Sequence, residues 1–356
     1  MLRTVRQIRR TTAGDRLRGG RRHCIGDPRF RELVALPDSG RPTAYPSAAP
    51  GASLTVYATR MPETVAFIGL GAMGGGMAPR LVRQGFRVRG FDVRPVAVEA
   101  LARAGGQACG SSAEAAEQSD LAVVMVLTAD QAEDAVFGEQ GLARTLRADA
   151  PVICMTTMSS SRARAMADQA AGRSLRWLDA PVSGGVERAA EGSLTTMVGA
   201  DPADLDRCRP ILDALSRDVF HIGPIGSGST AKMVNQVLVF CNLATAAEAM
   251  TLCRKLGADL QTIYDVLRTA FGTSAVFEAR VPKLIDGTFQ TGGSMRIALK
   301  DLAIIEEAAR ELGMPMLMTA QATQLFRATA AMGLLEADDL AIAHLFERLA
   351  GLASEA

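Results

Sequence analysis

The sequence predicts an α/β fold: a doubly wound, mostly parallel sheet, followed by an all-α domain. Three observations predict this arrangement. Short apolar segments alternate with helical patterns between residues 64 and 179. A glycine-rich turn joins the first of these segments to the first helix. Beyond Gly226 helical periods continue without a convincing strand, so we expect a long interdomain helix that leads into the helical domain.

Five strands and two early helices carry the first pattern. We predict strands over residues 64–68, 87–91, 121–127, 151–155 and 176–179, and helices over 72–84 and 97–104, with further helices between the later strands. The segment 121–127 is continuously apolar, as in a central parallel strand that is covered on both faces. In the second part we predict helices over 230–256, 259–269, 274–286, 295–312, 316–332 and 337–352.

The charge of the chain is distributed unevenly. Residues 1–60 hold 12 arginines, no lysine and four acidic residues, which gives +8. Residues 61–356 hold 27 basic and 34 acidic residues, which gives −7, so the net charge of +1 is a cancellation. The acidic character of residues 61–356 argues against a nucleic-acid partner, because proteins that bind nucleic acids normally have a basic surface.

The first 60 residues differ from the rest of the chain. They show no sustained period, and Pro and Gly recur from 38 to 51 as in a flexible linker. Because the strong pattern starts directly after Met61, we interpret Met61 as the initiator and the preceding residues as the result of a start-site error. An organelle transit peptide and a functional basic tail are the two alternatives. Under the first interpretation the protein is cytoplasmic.

Metal and membrane sites are not indicated. The six cysteines form no C-x-x-C pair and the chain has three histidines, so we expect neither a disulfide framework nor a metal site. The most apolar stretch, residues 237–253, is interrupted by polar side chains. We therefore predict a buried helix there and no membrane partner.

The glycine-rich turn has the pattern of a dinucleotide site. Gly69, Gly71 and Gly74 form G-x-G-x-x-G between a predicted strand and a predicted helix, and Asp92 follows 18 residues later. The three glycines permit a tight turn, close approach of a pyrophosphate and close helix packing. The helix N-terminus then offers N–H groups to the phosphates. This pattern predicts a Rossmann-type domain with Leu70, Ala72 and Met73 also at the cofactor.

Asp92 bears on the choice of cofactor. A carboxylate at this position accepts hydrogen bonds from the adenosine ribose and repels a 2′-phosphate, which favours NAD. Arg94 lies two residues further on and is able to tolerate a 2′-phosphate, so NADP stays open.

Two further motifs carry polar groups. Ser183, Gly184 and Gly185 follow a predicted strand, where free N–H groups and a hydroxyl can hold a carboxylate; a tight turn capped by serine is the alternative. Lys232 lies near the start of the long helix, with Asn235 and Gln236 on the same face. The helix dipole favours the neutral amine that a general base needs, whereas a solvated lysine is the ordinary alternative.

These motifs in this order resemble the β-hydroxyacid dehydrogenase family, which includes 3-hydroxyisobutyrate dehydrogenase, tartronate semialdehyde reductase and, more distantly, 6-phosphogluconate dehydrogenase. The resemblance covers residues 63–352 and rests on GLGAMG, DAPVSGG, GSGSTAKMVNQ and the late Lys300-Asp301-Leu302. The stretches KMVNQ, AEAM, IYDVL and FEARVPKLIDG look most like the L-threonate dehydrogenase subgroup.

The resemblance implies roles for individual residues. Leu127 and Thr128 match a Leu-Pro pair at the cofactor, with Thr128 in place of the proline, and Thr157 matches a threonine at the nicotinamide end. The loop 183–185 matches the site for the substrate carboxylate. Lys232 matches the catalytic lysine, Lys300 a lysine that reaches the cleft, and either Asn235 or Gln236 the amide that contacts the substrate. We also expect the distal substrate pocket to be shaped by Val276, Phe277 and Arg280, with packing as the alternative role of the first two.

The implied activity is NAD-dependent oxidation of a small hydroxy acid, such as L-threonate or 3-hydroxyisobutyrate. The alternatives are an NADPH-dependent reductase of 2-hydroxy-3-oxopropionate or succinic semialdehyde and a non-catalytic NAD(P)-binding relative, which the presence of Lys232 disfavours. We divide the chain into a disordered extension (1–60), a Rossmann NAD(P)-binding domain (61–225) and an all-α substrate and dimerisation domain (226–356). We expect a homodimer or homotetramer.

Overall fold

The computed structural model describes residues 64–289 and 293–352. The predicted extension over 1–60 lies outside the described residues. Six strands form the parallel part of the sheet, in the order β3-β2-β1-β4-β5-β6. Their bounds are β1 Thr64–Ile68, β2 Arg87–Phe91, β3 Gln107–Ala108, β4 Leu121–Val124, β5 Pro151–Cys154 and β6 Arg176–Asp179. This order confirms the doubly wound sheet and its strand reversal between β1 and β4.

Alternation along β1 shows how the sheet is covered on both faces. Val65 and Phe67 are buried on one face, together with Met77 and Leu81 of α1. Ala66 and Ile68 point to the opposite face, where they belong to a second buried cluster. A strand buried on both sides has no polar face, which is why its sequence is a continuous apolar run.

Helices connect these strands. Their bounds are α1 Gly74–Arg83, α2 Pro95–Arg103, α3 Ser112–Ala116, α4 Ala129–Phe137, α5 Ser160–Ala171, α6 Gly185–Glu191 and α7 Pro202–Leu215. Polar residues cap several of them: Thr128 accepts a hydrogen bond at the start of α4, and Ser159 does so at the start of α5. Because α4 follows β4 and α5 follows β5, both helix starts lie at the carboxyl edge of the sheet, where α/β proteins bind ligands.

Three further strands extend the sheet beyond β6. They are β7 Val182–Ser183, β8 Leu194–Gly199 and β9 Ser216–Gly223. Strand β8 pairs antiparallel with β6 and β7 and parallel with β9. The sequence did not predict these strands, because β9 is half-exposed and lacks an apolar run. A hairpin-like return therefore follows β6 and places the glycine pair 184–185 directly after β7.

The second domain is helical, as predicted. Its helices are α8 Ser227–Lys255, α9 Leu260–Leu267, α10 Ala275–Ile285, α11 Met295–Glu311, α12 Leu317–Thr329 and α13 Ile342–Leu349. Helix α8 packs against α10, α11, α12 and α13, and its first turn packs against β8. Phe240 of α8 and Phe326 of α12 meet edge to face in the core of this domain.

Helix α8 alone, within residues 64–289 and 293–352, is long and apolar enough by length and composition to cross a membrane. Half of its most apolar window is buried inside the protein. A helix at the centre of a folded domain has the same composition, because neighbouring helices surround it.

Several element ends differ from the prediction. Strand β4 ends at Val124 instead of 127, because the chain turns towards the cap of α4 at Thr128. Helix α8 begins at Ser227, three residues before the predicted start, since a distant carboxylate satisfies its first turn. The predicted helix over 337–352 is a short 3₁₀ turn, Asp339–Ala341, followed by α13.

Candidate active site

The three glycines of the turn after β1 have different surroundings. A Cβ atom on Gly69, whose φ is +96°, would lie 2.2 Å from the carbonyl oxygen of Met125, and one on Gly74 would lie 1.9 Å from that of Gly69. A Cβ on Gly71 would meet only the Arg94 guanidinium, at 3.7 Å. Gly69 and Gly74 are thus required for packing, whereas Gly71 borders open space that a pyrophosphate can occupy.

The same turn leaves donors for an anion. Helix α1 begins after Met73 without a side-chain cap, and the N–H groups of Gly75 and Gly76 bond to the carbonyl oxygens of Gly71 and Met73, so the donors left for a ligand are those of residues 71–74. Ala72 is exposed beside them, and Leu70 is buried beneath the turn. The turn therefore fits the phosphates of a dinucleotide.

Asp92, directly after β2, is held in place beside this turn. Its carboxylate accepts hydrogen bonds from the N–H of Leu70 (2.7 Å) and from the N–H (2.9 Å) and Nε (3.0 Å) of Arg94. Burial alone would raise the pKa of Asp92, but the hydrogen bonds from Arg94 and Leu70 outweigh it and lower the pKa. A fixed negative charge therefore lies where the adenosine ribose of a dinucleotide would bind.

Thr128, which the resemblance sets in place of a proline, fixes the turn before α4 by hydrogen bonds. Its side chain accepts from the N–H of Gln131, while the Gln131 side chain accepts from the N–H of Leu127 (3.0 Å) and of Thr128 (3.2 Å). This capping box orders the backbone that a proline would restrict. Thr157 lies half-buried beyond β5, next to Thr156, whose hydroxyl bonds to the backbone of Val126.

The second glycine motif forms an open turn between β7 and α6. Gly184 and Gly185 have φ of +139° and +74°, which other residues rarely adopt. A Cβ on Gly185 would meet nothing within 4 Å, so this side of the turn has room for a ligand. Ser183 is half-buried at the end of β7.

Lys232 is buried on the second turn of α8, with 7% of its surface exposed. Burial lowers its pKa to about 8; the Lys300 ammonium also lowers it, and the Asp301 carboxylate opposes the shift. The solvated surface lysine that the sequence left as an alternative is therefore wrong. An amine with this pKa can exchange a proton near neutral pH.

A chain of polar contacts runs from α8 to the turn after β4. Asn235 donates to Gln236 (2.9 Å), and the Gln236 amide nitrogen donates to Asp301 Oδ2 (2.6 Å). Lys300 Nζ lies 2.8 Å from Asp301 Oδ1 and donates to the carbonyl oxygen of Leu127 (3.1 Å). The chain joins the two amides, the late lysine and the turn after β4 in one network across the domain boundary.

No role was predicted for Asp301, although it lies in the Lys300-Asp301-Leu302 motif. Asp301 is 3% exposed and forms the centre of this network, because both Gln236 and Lys300 bind to its carboxylate. The signal in the sequence was an acidic residue beside Lys300 within a helix that is otherwise apolar on its buried face.

Three residues suggested for the distal pocket have structural contacts. Phe277 is buried and stacks on Tyr264, with 5.7 Å between the ring centroids, and Val276 packs against the core of the helical domain. Arg280 forms ion pairs with Asp338 and Asp339. Val276 and Phe277 therefore have the packing role that was the alternative to a pocket role. The guanidinium of Arg280 is paired with two carboxylates.

Metal ligands do not converge in the part of the chain that the structure describes, where no group of three or more His, Cys, Asp or Glu residues is arranged to hold a metal ion.

Two protein-family models match the chain. Residues 64–223 match the NAD-binding domain of 6-phosphogluconate dehydrogenase, and residues 226–346 match the NAD-binding domain of NADP-dependent 3-hydroxyisobutyrate dehydrogenase.

Curated relatives and a solved structure extend the match to most of the chain. The 2-(hydroxymethyl)glutarate dehydrogenase of Eubacterium barkeri is 36% identical, over 81% of this chain and 96% of its own. The L-threonate dehydrogenase of Cupriavidus necator is 36% identical, over 80% of this chain and 97% of its own. The crystal structure of 3-hydroxyisobutyrate dehydrogenase from Salmonella typhimurium is 34% identical, with a TM-score of 0.74 over 79% of this chain and 99% of its own.

The doubly wound sheet, the glycine turn and the buried lysine together define a dinucleotide-dependent oxidoreductase. The chain belongs to the β-hydroxyacid dehydrogenase family, the family of 3-hydroxyisobutyrate dehydrogenase and L-threonate dehydrogenase. It is an NAD(P)-dependent enzyme that acts on the hydroxyl group of a hydroxy acid.

Proposed function

We propose that the enzyme oxidises a small monocarboxylic hydroxy acid of the L-threonate or 3-hydroxyisobutyrate type with NAD, and that Lys232 is the general base. The observation that carries this proposal is the burial of Lys232, which lowers the pKa of its amine to about 8. The lysine lies beside the polar network that reaches the turn after β4 at Leu127.

The proposed chemistry divides between the cofactor and the protein. When bound, the dinucleotide accepts a hydride from the carbon that carries the substrate hydroxyl. The neutral Lys232 amine accepts the hydroxyl proton, and in the reverse direction its ammonium returns that proton to the carbonyl oxygen. The turn 183–185 binds the substrate carboxylate through backbone N–H groups and the Ser183 hydroxyl. Asn235 or Gln236 orients the reacting oxygen.

The contacts of Asp92 support NAD over NADP. Arg94, the cation nearest to the turn, donates to the Asp92 carboxylate and to the carbonyl oxygen of Leu70 (3.2 Å). A 2′-phosphate would have to displace these contacts and approach a carboxylate whose pKa is lowered. NADPH-dependent reduction stays the alternative, since a 2-hydroxy-3-oxopropionate reductase of Escherichia coli is 32% identical.

The pairing of Arg280 supports a substrate with one carboxylate. The relatives include a dehydrogenase named for a dicarboxylate, 2-(hydroxymethyl)glutarate, and others named for L-threonate. A second carboxylate would be bound most readily by a second cation, and Arg280 is already paired with two carboxylates, those of Asp338 and Asp339. Turnover of L-threonate, D-threonate, 3-hydroxyisobutyrate, D-glycerate, 4-hydroxybutyrate and 2-(hydroxymethyl)glutarate with each cofactor tests this choice.

Replacement of the lysine tests the mechanism. We expect Lys232→Met to lower kcat at least about a thousandfold, because the amine that accepts the hydroxyl proton is removed, while NADH binding stays near wild type. Lys255→Met is the matched control, since Lys255 lies at the exposed end of the same helix. Steady-state kinetics and NADH fluorescence titration measure the two quantities.

The pH profile supplies a second readout. Oxidation requires the neutral amine, so kcat/KM for the hydroxy acid should rise with pH through about 8, and the reverse reduction should fall through the same range. Wild-type turnover by Lys232→Met, or an oxidation rate that does not change between pH 7 and pH 9, would contradict the assignment of the base.

A further inference from the structure

Asp179 lies between the turn 183–185, which we call the substrate turn, and the start of α8, the helix that carries Lys232. It is the last residue of β6, four residues before Ser183, and is 2% exposed. Its Oδ2 accepts hydrogen bonds from the N–H groups of Gly226 (3.1 Å) and Ser229 (2.8 Å). Its Oδ1 accepts from the hydroxyl of Ser229 (2.6 Å). One buried carboxylate thus binds the first turn of α8 from a strand of the other domain.

This contact replaces the cap that α8 lacks. The residue before the helix is Gly226, with φ of +93° and no side chain to accept from the first N–H groups. Such groups need an acceptor when they are buried, and an ionised carboxylate at a helix N-terminus also compensates the dipole. All three partners of Asp179 are donors, which matches an ionised acceptor, although burial raises its pKa.

The helix start is also fixed by close packing. A Cβ on Gly228 would lie 2.4 Å from the carbonyl oxygen of Asp179 and 2.5 Å from that of Met197. The backbone of α8 therefore lies directly on β6 and β8. Ser229, the double donor to Asp179, precedes Lys232 by three residues, which places both on one face of the helix.

We propose that Asp179 is a positioning residue that sets the place of the Lys232 amine relative to the substrate turn by holding the first turn of α8. The proposal rests on the proposed role of Lys232 as the base. Because a misplacement of about 1 Å can cost a hundredfold in rate, a small shift of this turn is enough to lower turnover.

Asp179→Asn tests this role, because it keeps the size of the side chain but turns one of two acceptor groups into a donor. We expect kcat for the best hydroxy acid of the panel above to fall about tenfold to a hundredfold, whereas the Kd of NADH changes less than about twofold. Ser229→Ala removes one of the three bonds and should give a smaller loss in the same direction; it replaces Asp179→Asn if that variant does not fold.

Asp259→Asn is the matched control. Asp259 caps α9 with the same chemistry, accepting from the N–H (2.8 Å) and the hydroxyl (2.6 Å) of Thr262. If Asp179 only stabilises the fold, Asp179→Asn and Asp259→Asn will both have a lower Tm, and kcat will be unchanged in both. Unchanged kcat in a folded Asp179→Asn variant overturns the proposal.

A readout without turnover separates this proposal from the proposed function. Competitive acetylation of the native protein, followed by peptide mass spectrometry, measures the pKa and accessibility of the Lys232 amine, with Lys255 as the internal reference. The charged groups that act on Lys232 are Asp301 and Lys300 of α11. We expect the Lys232 pKa to rise towards 10.5 in Asp179→Asn, because the released helix start desolvates the amine less. An unchanged Lys232 titration overturns the positioning role even if Lys232 proves not to be the base.

Discussion

At the scale of single residues, Asp92 bears on the choice of cofactor. Its carboxylate accepts from the N–H of Leu70 and pairs with Arg94, so a single side chain contacts both the turn and the neighbouring cation. We therefore expect selectivity between NAD and NADP to depend on this pair of residues and not on the arginine alone.

We expect Asp92→Ala to lower kcat/KM with NAD by about tenfold to a hundredfold, since hydrogen bonds to a charged group contribute about 1.5–3 kcal/mol. The ratio of NAD to NADP efficiency should fall further, because Arg94 is released and the repulsion of a 2′-phosphate disappears. Asp149→Ala is the control, as Asp149 also pairs with arginines, Arg176 and Arg207, but on the protein surface. An unchanged cofactor ratio would exclude this role of Asp92.

Residues with a local signal were the easiest to select from the sequence. The three glycines of the turn and Asp92 were selected from their spacing, and Lys232 from the motifs around it and the family resemblance; each has surroundings compatible with its proposed role. Asp179 was not selected, because its partners lie 47 and 50 residues away. Only the fold brings these groups together, so no pattern along the chain could have indicated the contact.

At the scale of elements, the turn between β1 and α1 combines packing with ligand space. Gly69 and Gly74 are enclosed by backbone atoms, whereas Gly71 borders open space. The three glycines look equivalent in the motif, yet their replacement should have different consequences for stability and for binding.

We expect Gly71→Ala to keep the Tm of the wild type but to weaken NADH binding at least about tenfold, since the new methyl group occupies the space for the pyrophosphate. Gly74→Ala should instead destabilise the fold by about 1–3 kcal/mol, because its Cβ would overlap a carbonyl oxygen at 1.9 Å. Gly272→Ala, where a Cβ meets nothing within 4 Å, is the neutral control. Thermal unfolding and fluorescence titration distinguish the cases, and unchanged NADH affinity in Gly71→Ala would contradict the assignment.

Burial alone did not decide which strands were predictable. The strands β1, β2 and β6 have the bounds that the sequence predicted, although β2 is only partly buried. Strand β8 was not predicted, although four of its six residues are buried. Strand β9 escaped prediction since its half-exposed residues mix polar and apolar types. Paired partners, which no local pattern encodes, make β9 a strand.

At the scale of the whole molecule, the two domains meet at the site, and side chains join them. Lys300 of α11 binds the carbonyl oxygen of Leu127, and Lys283 of α10 pairs with Glu187 of α6 at 3.1 Å. Asp179 adds a third contact, to the start of α8. Groups from both domains thus line the cleft, and in the mechanism that we propose the helical domain carries the base while the sheet carries the cofactor turn.

One face of α8 is exposed over most of the helix. It carries Val234, Leu238 and Leu252 at helical spacing, with the polar Thr245 and Glu248 between the last two. Such a stripe of exposed apolar side chains on the central helix of a domain is typical of an interface between copies, and a two-fold axis would pair the stripe with itself. This arrangement supports the homo-oligomer that we expect from the sequence.

We predict that the wild-type protein elutes as a multiple of its 37.5 kDa chain and that Leu252→Glu shifts it towards the monomer, because two like charges would meet across the axis. Val96→Glu is the control: Val96 is equally apolar and exposed, but lies on α2 of the dinucleotide domain. Size-exclusion chromatography with light scattering measures both variants. A monomeric wild type, or dissociation by Val96→Glu alone, would show that the α8 stripe is not the interface.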